Sequence, residues 1–136
     1  MRFVISYVST AKRDMHQDEV VKILEETQIR NNSQGVNGLL IYSEGNFFEV
    51  IEGEKMRIKN LFESIKEDTR HKNIITIFEK EVDKPFFDDK DANFISENTL
   101  YRPLKVENFL SYIKDLDQGT QQTVKNILRA ISTNGS

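Results

Sequence analysis

Glu49 is an acid set in a strand with little room for one. Its neighbours are Phe47, Phe48, Val50 and Ile51. Period-two alternation puts Phe47, Glu49 and Ile51 on one face, with Phe48, Val50 and Glu52 on the other. Both faces are largely apolar, so the strand reads as covered on both sides. An interior carboxylate must be paired, protonated or bound to something. Tyr7 is a second polar group in apolar company, on one face with Phe3 and Ile5. It is either a working phenol or a core tyrosine with a satisfied hydroxyl. Asn31 and Asn32 add two adjacent amides, each offering a donor and an acceptor. The same pair also suits a helix end in the left-handed region.

Other chemistries find little support. The chain has no cysteine and only two histidines, His16 and His71, which excludes thiol nucleophiles and disfavours a metal site. No nucleophile with a base and no phosphate-cradling Gly-rich loop is visible, so no enzyme is expected. Acyl-phosphate hydrolysis would want an arginine in a phosphate loop after the first strand. Ser9 to Arg13 has cations there but no glycine frame.

The elements that must position these groups follow from patterning. A length of 136 residues fits one domain with a real core. Residues 2–9 alternate as a strand buried on both faces. Asp14 with Gln17 resembles a capping box for a helix whose inward stripe is Val20, Ile23, Leu24 and Thr27, ending at 31–35. Strands 36–43 and 46–53 form a hairpin around Glu44-Gly45-Asn46. A second helix spans about 55–68, with Ile58, Leu61, Phe62 and Ile65 at helical spacing. Residues 73–83 read as a fourth strand, 84–92 as a polar loop and 93–96 as a short fifth strand.

The order β-α-β-β-α-β predicts an α+β, ferredoxin-like sandwich with both helices on one face of a mixed sheet. The other face carries Val4, Val8, Leu39, Ile41, Phe48 and Val50. Two amphipathic C-terminal helices are expected to cover it or a partner's sheet. One carries Val106, Phe109, Leu110 and Ile113, the other Val124, Ile127, Leu128 and Ile131, with a break at Asp117-Gln118-Gly119. Residues 1–97 would form the core domain and 98–136 a helical extension. A net charge of −3, a pI near 5.5 and no dense Lys/Arg stripe argue against nucleic acid. No apolar run approaches a membrane span and Met1-Arg2-Phe3 opens no signal peptide, so a cytoplasmic protein away from membranes is expected.

Five segments in order resemble the BLUF family, the blue-light sensors using FAD, over about residues 2–97. They are VISYVS on the first strand, IRNN at the first helix end, GVNGLLIY, GNFFEVIEG, and EDTRH after the second helix. The resemblance implies a non-covalent flavin, FAD or alternatively FMN, between the two helices. Ile23 and Ile65 match the residues that sandwich the ring, and Asn31 and Asn32 the amides at its polar edge. Asp68, Arg70 and His71 match a segment near its pyrimidine end. Arg70 either neutralises flavin charge or is a solvated helix-end residue. His71 is either a ligand or a helix-end cation. Ser64 stands where some members carry an arginine.

The family's light reaction uses a tyrosine, matched by Tyr7, that gives an electron and then a proton to excited flavin. A neighbouring glutamine relays the proton and rearranges its amide. Here that position is Glu49. An ionised carboxylate only accepts, whereas a protonated one donates and imitates one of the two glutamine states. Keeping it neutral at pH 7 means raising its pKa by about 3 from roughly 4.3, or about 4 kcal/mol of differential solvation, reachable in an apolar cleft. Members also carry a tryptophan and a methionine near the fifth strand. This chain has no tryptophan, and KPFFDDKDANF keeps Phe86 but offers Asp89 and Asp91 there. The expected function is a blue-light photoreceptor whose photocycle is altered or lost through Glu49. It would signal to an unidentified protein partner, with homo-oligomers expected. A flavin-free interaction module is the alternative.

Overall fold

The computed structural model describes residues 1–83, 94–98 and the helical positions 118, 119, 121–123, 125 and 126. The elements are β1 (Arg2–Ala11), α1 (Gln17–Ser33), β2 (Asn37–Ser43), β3 (Asn46–Glu54), α2 (Lys55–Glu67), β4 (His71–Val82) and β5 (Phe94–Asn98). They build the expected ferredoxin-like α+β sandwich. The sheet order is β4-β1-β3-β2-β5. All neighbours are antiparallel except β5, which runs parallel to β2. No helix among the described residues is long and apolar enough to cross a membrane.

Local chemistry explains most boundaries. Glu44 and Gly45 both have positive φ, 44° and 85°, which the tight two-residue turn between twisted antiparallel strands requires. Glu54 caps α2, its carboxylate accepting from the amides of Met56 at 3.1 Å and Arg57 at 2.9 Å. Gly38, at φ 144°, lies where a Cβ would come within 1.9 Å of the Val50 carbonyl oxygen. Only glycine lets β2 lie this close to β3.

Three expectations are corrected. The Asp14–Gln17 capping box does not form. Asp14 turns the chain at φ 66° and α1 starts at Gln17, with His16 as an N-cap that makes no side-chain bond. Aspartate tolerates the left-handed region, so it serves the turn before the helix instead. His71 is not a helix-end residue, because α2 stops at Glu67 and His71 is the first residue of β4. Of the expected break at Asp117-Gln118-Gly119, Gln118 and Gly119 are helical, with Thr123 Oγ1 donating to the Gly119 carbonyl at 3.0 Å, and Asp117 lies outside the described residues.

The core lies between the sheet and the two helices. Phe3, Ile5, Leu40 and Ile51 meet Val20 and Leu24 of α1 and Ile58 and Phe62 of α2. On the opposite face Val4, Leu39, Ile41, Phe48 and Val50 are also buried. There Arg2 pairs with the fully buried Glu52 at 3.2 Å. The apolar residues expected to cover that face, from Val106 to Ile113 and from Val124 to Ile131, lie outside the described residues, as do Phe86, Asp89 and Asp91.

Candidate functional site

A cleft of about 540 Å³, counting its open mouth, lies between α1 and α2 above the middle of the sheet. Its α1 wall is Ile23, Thr27 and Arg30, one helical face at spacings of four and three. Its α2 wall is Leu61, Ser64 and Ile65. The floor is Tyr7, Leu40, Phe47 and Glu49, and Asp68, Arg70 and His71 close the remaining end. Ile23 and Ile65 thus face one space from opposite helices.

Register brings the two central groups together. Tyr7 of β1 and Glu49 of β3 are direct cross-strand partners, and Leu40 of β2 flanks Glu49 on its other side. The Tyr7 hydroxyl donates to Glu49 Oε1 at 2.5 Å. Both side chains are buried, at 4% and 2% exposure. Burial pushes the Glu49 carboxyl up to about 7, against the opposing pull of the Tyr7 hydrogen bond and the Arg30 charge. Burial first, and the adjacent carboxylate second, hold the Tyr7 phenol well above its usual range. Tyr7 therefore stays a protonated donor while Glu49 exchanges its proton in the neutral range. Glu49 Oε2 has no partner among the described residues.

The amides separate. Asn31 is fully buried and its Oδ1 accepts from Arg30 Nε at 3.2 Å, while its Nδ2 has no partner among the described residues. Asn32 turns elsewhere. Its Nδ2 donates to the Phe94 carbonyl at 3.1 Å and its Oδ1 accepts from the Phe94 amide at 2.6 Å. That amide is spent fastening β5 to the end of α1. Neither asparagine is among the residues lining the cleft. Gln28 and Ser96 complete the attachment, with the Ser96 amide donating to Gln28 Oε1 at 2.9 Å and Ser96 Oγ to the Leu24 carbonyl at 3.0 Å.

At the closed end, Arg70 pairs with Asp68 at 2.6 Å and with Glu26 at 3.7 Å. The Arg70 hydrogen bond holds the Asp68 carboxyl below its usual range. The Arg70 charge is thus matched within the chain. His71 is tied at both nitrogens, Nδ1 to Ser9 Oγ at 2.7 Å and Nε2 to the Ile65 carbonyl at 2.6 Å. A carbonyl only accepts, so Nε2 carries the proton, and in the one-proton tautomer Nδ1 accepts from Ser9. This clamp holds the end of α2 against β1.

Sequence reasoning reached Tyr7, Ile23, Glu49, Ile65, Asp68, Arg70 and His71, all of which line the cleft. It missed Thr27 as a lining residue, and Arg30, Phe47 and Ser9. Arg30 was findable, because it extends the face of Ile23 and Thr27 by one turn. The arrangement suits a flat heteroaromatic ring: aliphatic side chains on two opposed walls, with the unpartnered Oε2 of Glu49 on the floor between them. A flavin ring, with its N–H and carbonyl edge, can meet that carboxyl oxygen as an acceptor when ionised or as a donor when protonated.

Comparisons with known proteins agree. The chain is 30% identical over 80 residues to the photoactivated adenylate cyclase subunit alpha of Euglena gracilis, covering 59% of this chain and 8% of that one. It is 33% identical over 67 residues to the blue light- and temperature-regulated antirepressor BluF of Escherichia coli (strain K12), covering 46% of this chain and 17% of that one. The chain thus spans only a small part of these curated relatives. Among solved structures, the photo-activated state of BlsA superposes with a TM-score of 0.69 at 25% identity, covering 94% of both chains. A family model described as sensors of blue-light using FAD matches residues 3–93. By that match over most of its length, the chain belongs to the BLUF family of flavin-using blue-light sensors.

Proposed function

We propose that this protein binds FAD non-covalently in the cleft between α1 and α2, with FMN able to take its place, and signals blue light through protein–protein contacts. The observation that carries this reading is the buried Tyr7–Glu49 bond of 2.5 Å, with the second carboxyl oxygen unpartnered. Bound flavin supplies the blue-light absorption and an electron acceptor. Ile23 and Ile65 hold its ring from opposite helices, and Asn31 supplies an amide at its edge. Asp68, Arg70 and His71 shape the closed end.

Glu49 sets the photochemistry apart. With Tyr7 donating to Oε1, the proton of a neutral Glu49 belongs on Oε2, the oxygen without a partner. That acid presents a donor to the cleft as a glutamine amide would. Ionised, it only accepts, and the donor is lost. The light response therefore depends on the Glu49 proton and differs from that of members with glutamine. Asn32, spent on β5, links the cleft end of α1 to the strand rather than serving the ring. Residues 1–97 are the flavin-binding unit, and 98–136 carry the output to a second copy or another protein. Relatives named as photoactivated cyclases and an antirepressor support a protein-directed output.

Absorption spectra of the purified protein before and after blue light test this reading. A reversible small red shift supports sensing, and a yellow, light-inert sample supports binding alone. A colourless protein that rejects added flavin leaves only the flavin-free interaction module.

A further inference from the structure

The charges around the cleft do not balance. Glu49 and Asp68 are the carboxyl groups that line it, and Arg30 and Arg70 the guanidinium groups. Asp68 is spent on Arg70, which also reaches Glu26 at 3.7 Å. Arg30 gives its Nε to Asn31 and forms no ion pair among the described residues. Its charge acts on Glu49 and on Tyr7 alike, in both cases favouring ionisation. The other elements around Glu49 add no free charge. From β1 comes the Tyr7 phenol, and from β4 comes His71, tied at both nitrogens. Strand β2 contributes Leu40, and α2 contributes Leu61, Ser64 and Ile65. Among the described lining residues, Glu49 is thus the carboxyl left to answer Arg30. When it holds its proton, the cleft contains an unmatched cation, and when it ionises, that cation is cancelled.

We propose that Glu49 and Arg30 form a proton-linked redox switch, in which Glu49 takes up a proton when the bound flavin is reduced by two electrons in the dark. The inference rests on the flavin reading of the cleft and adds a second input, a reductant, to the light input. A hydride donor of the dihydronicotinamide class breaks its C–H bond and passes two electrons and one proton to the ring. The donor is oxidised to the nicotinamide, and the reduced ring carries one negative charge at neutral pH. That charge then competes with ionised Glu49 for the field of Arg30. Two like charges in one buried cleft disfavour each other, so the carboxylate takes a proton from water and becomes the neutral acid. Its Oε2, unpartnered on the cleft floor, is the oxygen free to hold it. The count above neutral pH is two electrons and two protons, one on the ring and one on Glu49. Where Glu49 is already protonated, the count is two electrons and one proton. By linkage, reduction is favoured as pH falls, to the same extent that it raises the proton affinity of Glu49.

Spectroelectrochemical titration of the flavin-loaded full chain in the dark, from pH 6 to 8.5, tests the switch beside Glu49→Gln and Arg30→Gln. Above neutral pH the parent's potential should fall more steeply than that of Glu49→Gln, the difference amounting to one further proton per two electrons. Infrared difference spectra on dark reduction at pH 8 should show a protonated carboxyl band appearing in the parent and absent from Glu49→Gln. Arg30→Gln should weaken binding of reduced relative to oxidised flavin by about tenfold at pH 6, read as a lower potential. Parallel profiles for the parent and Glu49→Gln, with no carboxyl band, overturn the switch while sparing the cleft. An unchanged potential in Arg30→Gln also overturns it, by removing the cation from the couple. A chain that takes up no flavin removes the cleft reading itself, and the switch with it.

Discussion

The Tyr7 phenol and the Glu49 carboxyl face one another directly across β1 and β3, joined by a 2.5 Å bond, with both side chains almost fully buried. Two groups from segments 42 residues apart form one proton-sharing unit. Its charge state turns on Glu49, since burial keeps Tyr7 protonated.

The flavin-free protein should lose stability as pH rises from about 4.5 to 7. Glu49 ionises at its ordinary 4.5 when unfolded and at about 7 when folded. Below the lower value both states hold the proton and stability is complete. Between the two, the unfolded chain releases a proton that the native one keeps, which costs roughly 3 kcal/mol by pH 7. Urea titrations of the parent and Glu49→Gln at pH 5 and 7.5 isolate this contribution. Superimposable pH profiles for the two proteins would exclude it.

Glu49→Gln should also restore a donor that does not depend on pH. Flavin-loaded Glu49→Gln is expected to show the same light-induced spectral shift at pH 6 and pH 8.5. The parent's shift should fall at the higher pH. A parent response that is flat across this range would mean that Glu49 holds its proton throughout.

Tyr7→Phe removes the hydrogen bond that favours ionised Glu49. The carboxyl should then titrate above its present value of about 7. Infrared titration of the protonated carboxyl band reads this directly. Flavin should remain bound, because the two isoleucine walls are untouched, but the light response should be abolished. A normal response without the phenol would discard Tyr7 as the electron donor.

Asn32→Ala should loosen β5 without emptying the cleft. It deletes both bonds to the Phe94 backbone, at a cost of about 1–3 kcal/mol. Hydrogen exchange at Phe94 and Ser96 should accelerate while flavin affinity stays within about twofold of the parent. A large loss of affinity would instead return Asn32 to the ring.

Gly38→Ala should be among the most damaging single-methyl additions, at about 3 kcal/mol, because the new Cβ meets the Val50 carbonyl in rigid strand backbone. Gly35→Ala, at φ 69° with nothing within 4 Å, should cost only about 1 kcal/mol. Comparing their thermal midpoints separates a steric requirement from a conformational one.

Much of this protein was legible locally. The doubly apolar alternation around Glu49 announced a buried acid, Glu44-Gly45 announced the hairpin, and the spacing of Val20, Ile23, Leu24 and Thr27 announced the inner face of α1. Those features depend on the period of a strand or helix and on the φ preferences of single residues, which neighbours in sequence carry. The order of elements then narrowed the sheet to few topologies. Tertiary structure alone decided which groups touch. Strand register chose Tyr7 as the partner of Glu49, the docking of β5 claimed Asn32, and the start of β4 placed His71 between Ser9 and the Ile65 carbonyl. The place of Arg30 in the cleft wall depended on how two helices lie across one sheet. Such pairings join residues far apart in the chain, and no local preference encodes them. They arise when burial forces each polar group to find whichever partner the packed fold brings within reach.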